Sequence, residues 1–175
     1  MDTSTEVDDL SLDKEKAFVK LLAKCLNVSP GKSRASVITF GTTTSREIDF
    51  NSYESTQAFE SLVDRISSIG GDRRIDKALE AAAEVVENSP PSVPKLVVLL
   101  TSGPQPANAL SFSEAAIPLH SIGAMFYVVS IANDLDKKYY EALVDHPSQM
   151  SQASSFGSLN YVLPKVTQGV EQGEL

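Results

Sequence analysis

Two apolar runs, KLVVLLT at 95–101 and AMFYVVSIA at 124–132, limit the fold of this 175-residue chain more than any other feature. Neither alternates between apolar and polar positions, so each needs cover on both faces, as a strand inside a parallel sheet does. Parallel neighbours need a crossover of a dozen or more residues, and the stretch between the runs supplies one. There Phe112, Ala115, Ala116 and Leu119 repeat at helical spacing, with Pro118 marking a kink or a helix start.

The same alternation continues on either side. Phe18, Leu21, Leu22 and Cys25 share one face of a first helix, which Ser11 or Asp13 would cap and which Asn27 and Ser29-Pro30-Gly31 end. Cys25 on that face reads as a buried, inert thiol. Residues 33–40 read as a buried strand and 45–50 as an alternating, exposed one, joined by a short Gly-Thr turn into a hairpin whose second strand is an antiparallel edge. Phe59, Leu62, Val63 and Ile66 mark a second helix. Ile75, Ala78, Leu79, Ala82 and Val86 mark a third, entered through Gly70-Gly71. Tyr140, Leu143 and Val144 belong to a short helix and 150–153 to a short edge strand. Phe156, Leu159, Leu163 and Val166 lie on a last helix interrupted at Pro164. With no repeats, low-complexity tracts or linkers, residues 1–175 read as one α/β domain with a mostly parallel sheet.

Composition excludes several roles. A net charge of −8 opposes binding to nucleic acid or anionic membrane surfaces, which clustered Lys and Arg would serve. The apolar runs are far too short for a membrane span, and the first residues carry no signal-peptide pattern. One cysteine forms no internal disulfide, and C-x-x-C and H-E-x-x-H zinc patterns are absent.

Catalytic motifs are weak. Ser102 ends a strand in TSGP, but no G-x-S-x-G elbow surrounds it and nothing places His120 or His146 beside it. His120 reads as a surface or core-edge residue and His146 as loop. SIGGDRR before a helix could cradle phosphate, but the chain has neither G-K-[ST] nor G-x-G-x-x-G. The acidic residues Glu6, Asp8, Asp9, Asp13 and Glu15 lack calcium-loop spacing and read as a solvated approach to the first helix.

Four stretches, DTSTE at the start, LNVSPGKSRASVITFG, SIGGDRRIDKALEAA and KLVVLLTSGPQ followed by LHSIGAMFYVVSIA, resemble the von Willebrand factor type A domain. The likeness is strongest to copies in collagen VI-like and other extracellular-matrix proteins. It implies a doubly wound, mostly parallel sheet with one antiparallel edge strand, helices on both faces and a ligand site at the carboxyl ends of the central strands. It also implies a central strand before Asp2, where this chain has only Met1. A chain truncated at its N-terminus is therefore expected, with a gap of roughly 10 Å between strands normally about 5 Å apart.

The resemblance further implies a metal-ion-dependent adhesion site of hard oxygen ligands, suited to Mg²⁺. Asp2 and Ser4 match the first ligand loop. Glu6 stands in place of its second serine, Arg73 in place of a threonine, and Ser102 in place of an aspartate. An always-charged guanidinium there would repel a cation and pair with Asp2 or Glu6 in the metal's stead. Alternatively Arg73 and Arg74 point into solvent and Asp72 enters the ligand set. The expectation is a remnant site with no cofactor, Mg²⁺ being the one candidate. The resemblance thus implies a secreted, non-catalytic adhesion module that binds matrix or cell-surface proteins through a rim of Asp2, Ser4, Glu6, Arg73 and Ser102. The competing readings are a nucleotide- or phosphate-binding α/β enzyme using Gly70, Gly71 and Ser102, and an intracellular assembly adaptor of the same family.

Overall fold

The structure is a computed structural model that describes residues 1–132 and 137–171. The two apolar runs form β3 (Leu96–Thr101) and β4 (Met125–Ile131), paired in parallel with Val97 opposite Phe126 and Leu100 opposite Val129. The short strand β5 (Met150–Ala153) adds to the far side of β4, also in parallel. The hairpin forms from β1 (Val37–Phe40) and β2 (Thr44–Ile48), antiparallel and with a register irregularity between Val37 and Ile38. Both strands are shorter than their sequence patterns, and ahead of β1 Ser33 is drawn into an isolated bridge with Val28.

The sequence implies one sheet with a gap where a central strand before Asp2 would lie. Among the described residues the strands form two pieces, β1–β2 and β3–β4–β5, and β1 does not pair with β3. Residues 1–3 enter beside the end of β1 in parallel register. Phe40 donates its N–H to the Met1 carbonyl at 3.1 Å, and Thr3 donates to the Phe40 carbonyl at 2.8 Å.

Helices cover both faces. On one side lie α1 (Asp9–Cys25), α2 (Thr56–Asp64) and α6 (Leu159–Glu171), whose Phe18, Leu22, Phe59, Val63, Leu159 and Val166 pack with Leu100 and Val129. On the other lie α3 (Ile75–Glu87), α4 (Phe112–Ala115) and α5 (Ile117–Ser121), whose Ile75, Leu79, Phe112 and Leu119 pack with Phe40, Leu99 and Val128. Pro118 sits in the first turn of α5, where its missing N–H costs nothing, so one patterned stretch becomes two short helices.

Three local expectations are corrected. The cap of α1 is neither Ser11 nor Asp13 but Asp8, whose carboxylate accepts the Ser11 N–H at 2.8 Å. Cys25 is exposed rather than buried, because it closes the helix, while the buried face consists of Leu12, Glu15, Phe18, Leu22 and Ala23. The helix α6 continues through Pro164, and Phe156 lies ahead of it in a 3₁₀ turn. Asn27 ends the α1 region as expected, at φ 51°.

Glu15, read as part of a solvated approach, is instead completely buried on the inner face of α1, and neither carboxylate oxygen has a hydrogen-bond partner. Burial drives its carboxyl well above the usual range, and the Met1 ammonium group offsets this only in part. The folded state therefore favours the protonated form. The resulting penalty is absent below the unfolded value, about pH 4, and grows as pH rises towards the folded one. Glu15→Leu is expected to stabilise the domain by about 1–3 kcal/mol at pH 7. That gain should shrink towards pH 4, which urea unfolding at both pH values would measure.

Candidate functional site

The site lies where the carboxyl ends of β1 and β3 meet the segment entering α1. Asp2 is fully buried and gathers five donors. Its Oδ1 accepts from the Ser4 N–H (3.1 Å) and the Ser4 hydroxyl (2.7 Å). Its Oδ2 accepts from Arg73 Nε (2.6 Å) and from the Ser102 N–H (3.0 Å) and hydroxyl (2.9 Å). Burial alone would push this carboxyl up, but the Arg73 charge and the Ser102 and Ser4 donors outweigh it and hold it below the ordinary aspartate range.

Arg73 is the centre of the arrangement. Its side chain is 5% exposed, so it does not point into solvent. Nη2 donates to Glu6 Oε2 at 2.7 Å and to the Ser102 hydroxyl at 2.9 Å, and Nη1 donates to the Pro104 carbonyl at 3.3 Å. Burial opposes the guanidinium's charge, but Asp2 and Glu6 prevail and raise its pKa further. Glu6 remains largely exposed, its side chain at 75%. Asp72 is also exposed, and what anchors its residue is the backbone N–H, which donates to Thr42 Oγ1 at 2.8 Å.

The loop that carries Arg73 is held by backbone contacts that sequence reasoning did not anticipate. Gly70 and Gly71 both have positive φ, 75° and 78°. The Gly70 N–H donates to the Thr3 carbonyl, and Gly71 donates to Thr5 Oγ1. The N–H groups that a phosphate would need are thus already bonded within the protein. A Cβ on Gly41 would collide with the Gly70 carbonyl, and one on Gly103 would sit 2.5 Å from Arg73 Nη1.

A second network was also missed. Arg74 forks onto buried Asp76 at 2.8 and 2.6 Å, Asp76 accepts the Leu110 N–H, and its own N–H donates to Gln105 Oε1. It ties the 102–110 loop to the start of α3. Its one legible signal is an acid in the first turn of a helix. Neither histidine approaches Ser102 in the described contacts: His120 lies against Phe126, and His146 caps a 3₁₀ turn through Ser148.

Residues 1–165 match the von Willebrand factor type A domain. The chain belongs to that family. Cuticlin-6 of Caenorhabditis elegans is 23% identical over 164 residues, 93% of this chain and 28% of that protein. Human Matrilin-3 is 25% identical over 138 residues, 75% of this chain and 28% of that protein. The chain thus spans little more than a quarter of these relatives. Proximal thread matrix protein 1 of the mussel byssus has the same fold, with TM-score 0.86 at 22% identity over 95% of this chain and 43% of that one. A further structure of that protein has a zinc-occupied metal-ion-dependent adhesion site. The manganese-loaded TRAP protein of Plasmodium vivax aligns with TM-score 0.71 at 17% identity, over 95% of this chain and 70% of that one.

Asp2 and Ser4 match the type A metal-site loop, and Glu6, Arg73 and Ser102 stand at its other positions. Asp2, Ser4, Glu6 and Ser102 do converge, but a guanidinium already lies among three of them and uses their acceptors. Among the described residues, no group of three or more His, Cys, Asp or Glu side chains is placed to hold a metal ion.

Removing one partner of a buried ion pair strands the other, at a cost of about 3–5 kcal/mol. Arg73→Ala is therefore expected to destabilise by that amount, measured by urea unfolding at pH 7. Asp2 has a depressed folded pKa, so its contribution is complete above about pH 4 and is lost as pH falls through the folded value. The cost of Arg73→Ala should accordingly diminish in strong acid.

Proposed function

We propose that this chain is a non-catalytic protein-binding module of a matrix-type extracellular protein, engaging matrix or cell-surface proteins through a degenerate adhesion site. The observation that carries this reading is Arg73, seated between Asp2, Glu6 and Ser102 at the carboxyl end of β3. Family membership supports the binding role, and likeness to Matrilin-3 and to a byssal matrix protein supports the secreted, extracellular setting. The contact surface is the exposed part of the site's rim, Glu6 with the flanking Thr5, Asp72 and Pro104 and half-buried Ser102, supported from beneath by buried Asp2, Ser4 and Arg73. Ser102 serves as a ligand of Asp2 and Arg73 rather than as a nucleophile, since its hydroxyl is engaged by both.

The test is solid-phase binding of the chain to a decellularised matrix preparation and to cultured-cell surfaces. Glu6→Arg, which reverses the outward charge of the rim, should weaken binding at least fivefold. Ser92→Arg, in the loop entering the opposite end of β3, should leave binding unchanged. Equal binding by all three proteins would exclude the rim as the contact surface.

We also infer that one extended apolar strand completes the domain in the slot between β1 and β3. The pairing of residues 1–3 with Phe40 already begins such a ladder, and β1 and β3 each keep one edge unpaired by the other. Lengthening the chain ahead of Met1 by a strand of Val and Ile should raise the thermal midpoint by several degrees. An unchanged midpoint would show that the slot is closed.

A further inference from the structure

We propose that Arg73 is a tethered, non-exchangeable cation seated among Asp2, Glu6 and Ser102, and that it keeps any divalent ion out of their oxygen atoms. Three separate segments meet at its guanidinium. Asp2 and Glu6 come from the segment before α1, Ser102 and Pro104 from the loop after β3, and Arg73 itself from the loop before α3. These contacts join the three segments through charge-assisted hydrogen bonds at 2.6 to 2.9 Å to the two carboxylates and the Ser102 hydroxyl.

The replacement has two consequences. A free cation can leave and can be removed by a chelator, whereas a covalently attached guanidinium is always present and always charged. The rim is therefore set independently of divalent ions. Its outward face also changes sign. The Arg73 charge is buried, whereas the Glu6 carboxylate stands in solvent with only Oε2 engaged by Arg73. An acidic group that would complete a metal's coordination sphere meets a carboxylate here instead.

The oxygen ligands under the guanidinium remain. Asp2 and Ser4 stay in place, held by each other, and Glu6 is within reach of the same point. Arg73→Thr removes the competing charge and supplies a hydroxyl, while Ser102→Asp supplies a further carboxylate. Together they assemble an oxygen set of the kind Mg²⁺ and Mn²⁺ accept. This inference deepens the adhesion-site reading, but its test measures metal rather than partner, so either can fail without the other.

The experiment is calorimetric titration of MgCl₂ and MnCl₂ into the full chain, into Arg73→Thr/Ser102→Asp, and into Ser102→Asp alone. The unmodified chain is expected to bind neither ion below millimolar concentration. The double variant should gain at least 100-fold in Mn²⁺ affinity. Ser102→Asp alone should stay with the unmodified chain, because Arg73 remains. Micromolar Mn²⁺ binding by the unmodified chain would overturn the proposal, as would a double variant with native circular dichroism and no gain. Thermal melts of the unmodified chain in EDTA and in MnCl₂ provide a readout that does not require the variant to fold. Equal midpoints support the tethered cation, and an upward shift of several degrees in MnCl₂ overturns it.

Discussion

The ion pair between Asp2 and Arg73 is the contact around which this structure is organised. Asp2 is fully buried, its partner's side chain is 5% exposed, and their atoms approach to 2.6 Å. Burying two charges costs several kcal/mol per ion, which mutual attraction alone need not return. The pair is tolerable because every other demand of the carboxylate is met: Ser4 and Ser102 each give it a backbone N–H and a hydroxyl. A pair satisfied in this way does more to specify an arrangement than to add net stability. The strand ends and loops take the positions in which the charges meet, since any other arrangement leaves a bare charge inside the protein.

That requirement propagates outward. For the guanidinium to reach Asp2, the loop before α3 folds back over residues 3–5 and 41–42, and the Gly70 carbonyl, the Thr42 side chain and the Arg73 guanidinium then crowd Gly41, Gly71 and Gly103 respectively. The fork of Arg74 onto Asp76 then fixes the start of α3, and Gln105 and Leu110 hang the 102–110 loop from the same aspartate. The rim that results is held by a network of internal hydrogen bonds. Preorganisation of this kind lowers the ordering cost of binding a partner.

Glu15 stands apart from this economy. It is a second buried carboxylate near Asp2, but no guanidinium pairs with it and no donor lies within hydrogen-bonding geometry of its oxygens. The contrast shows how strongly environment rather than residue type decides an acid's state. Asp2, with five donors of which one is the Arg73 cation, is held ionised, whereas Glu15, on the following helix, is pushed towards its neutral form.

Much of the fold was legible in the chain. The continuous apolar runs of β3 and β4 suited parallel strands, and the spacing of Ile75, Ala78 and Leu79 suited a helix, because both signals are local periodicities. The site, and the pairing of Arg73 with Asp2 or Glu6, were what the resemblance to the type A domain implied, carried by Asp2, Ser4 and the arginine standing where that family has a threonine. Tertiary structure decided what local pattern cannot carry. It placed Arg73 inward rather than in solvent, because only the approach of loops about seventy and one hundred residues from Asp2 creates the pocket that desolvates it. It left β1 and β3 unpaired with each other, since pairing depends on which strand lies between. It buried Glu15 and exposed Cys25, although helical spacing would suit either position equally well. Burial is a property of what packs across the helix, and no helix carries that information within its own sequence.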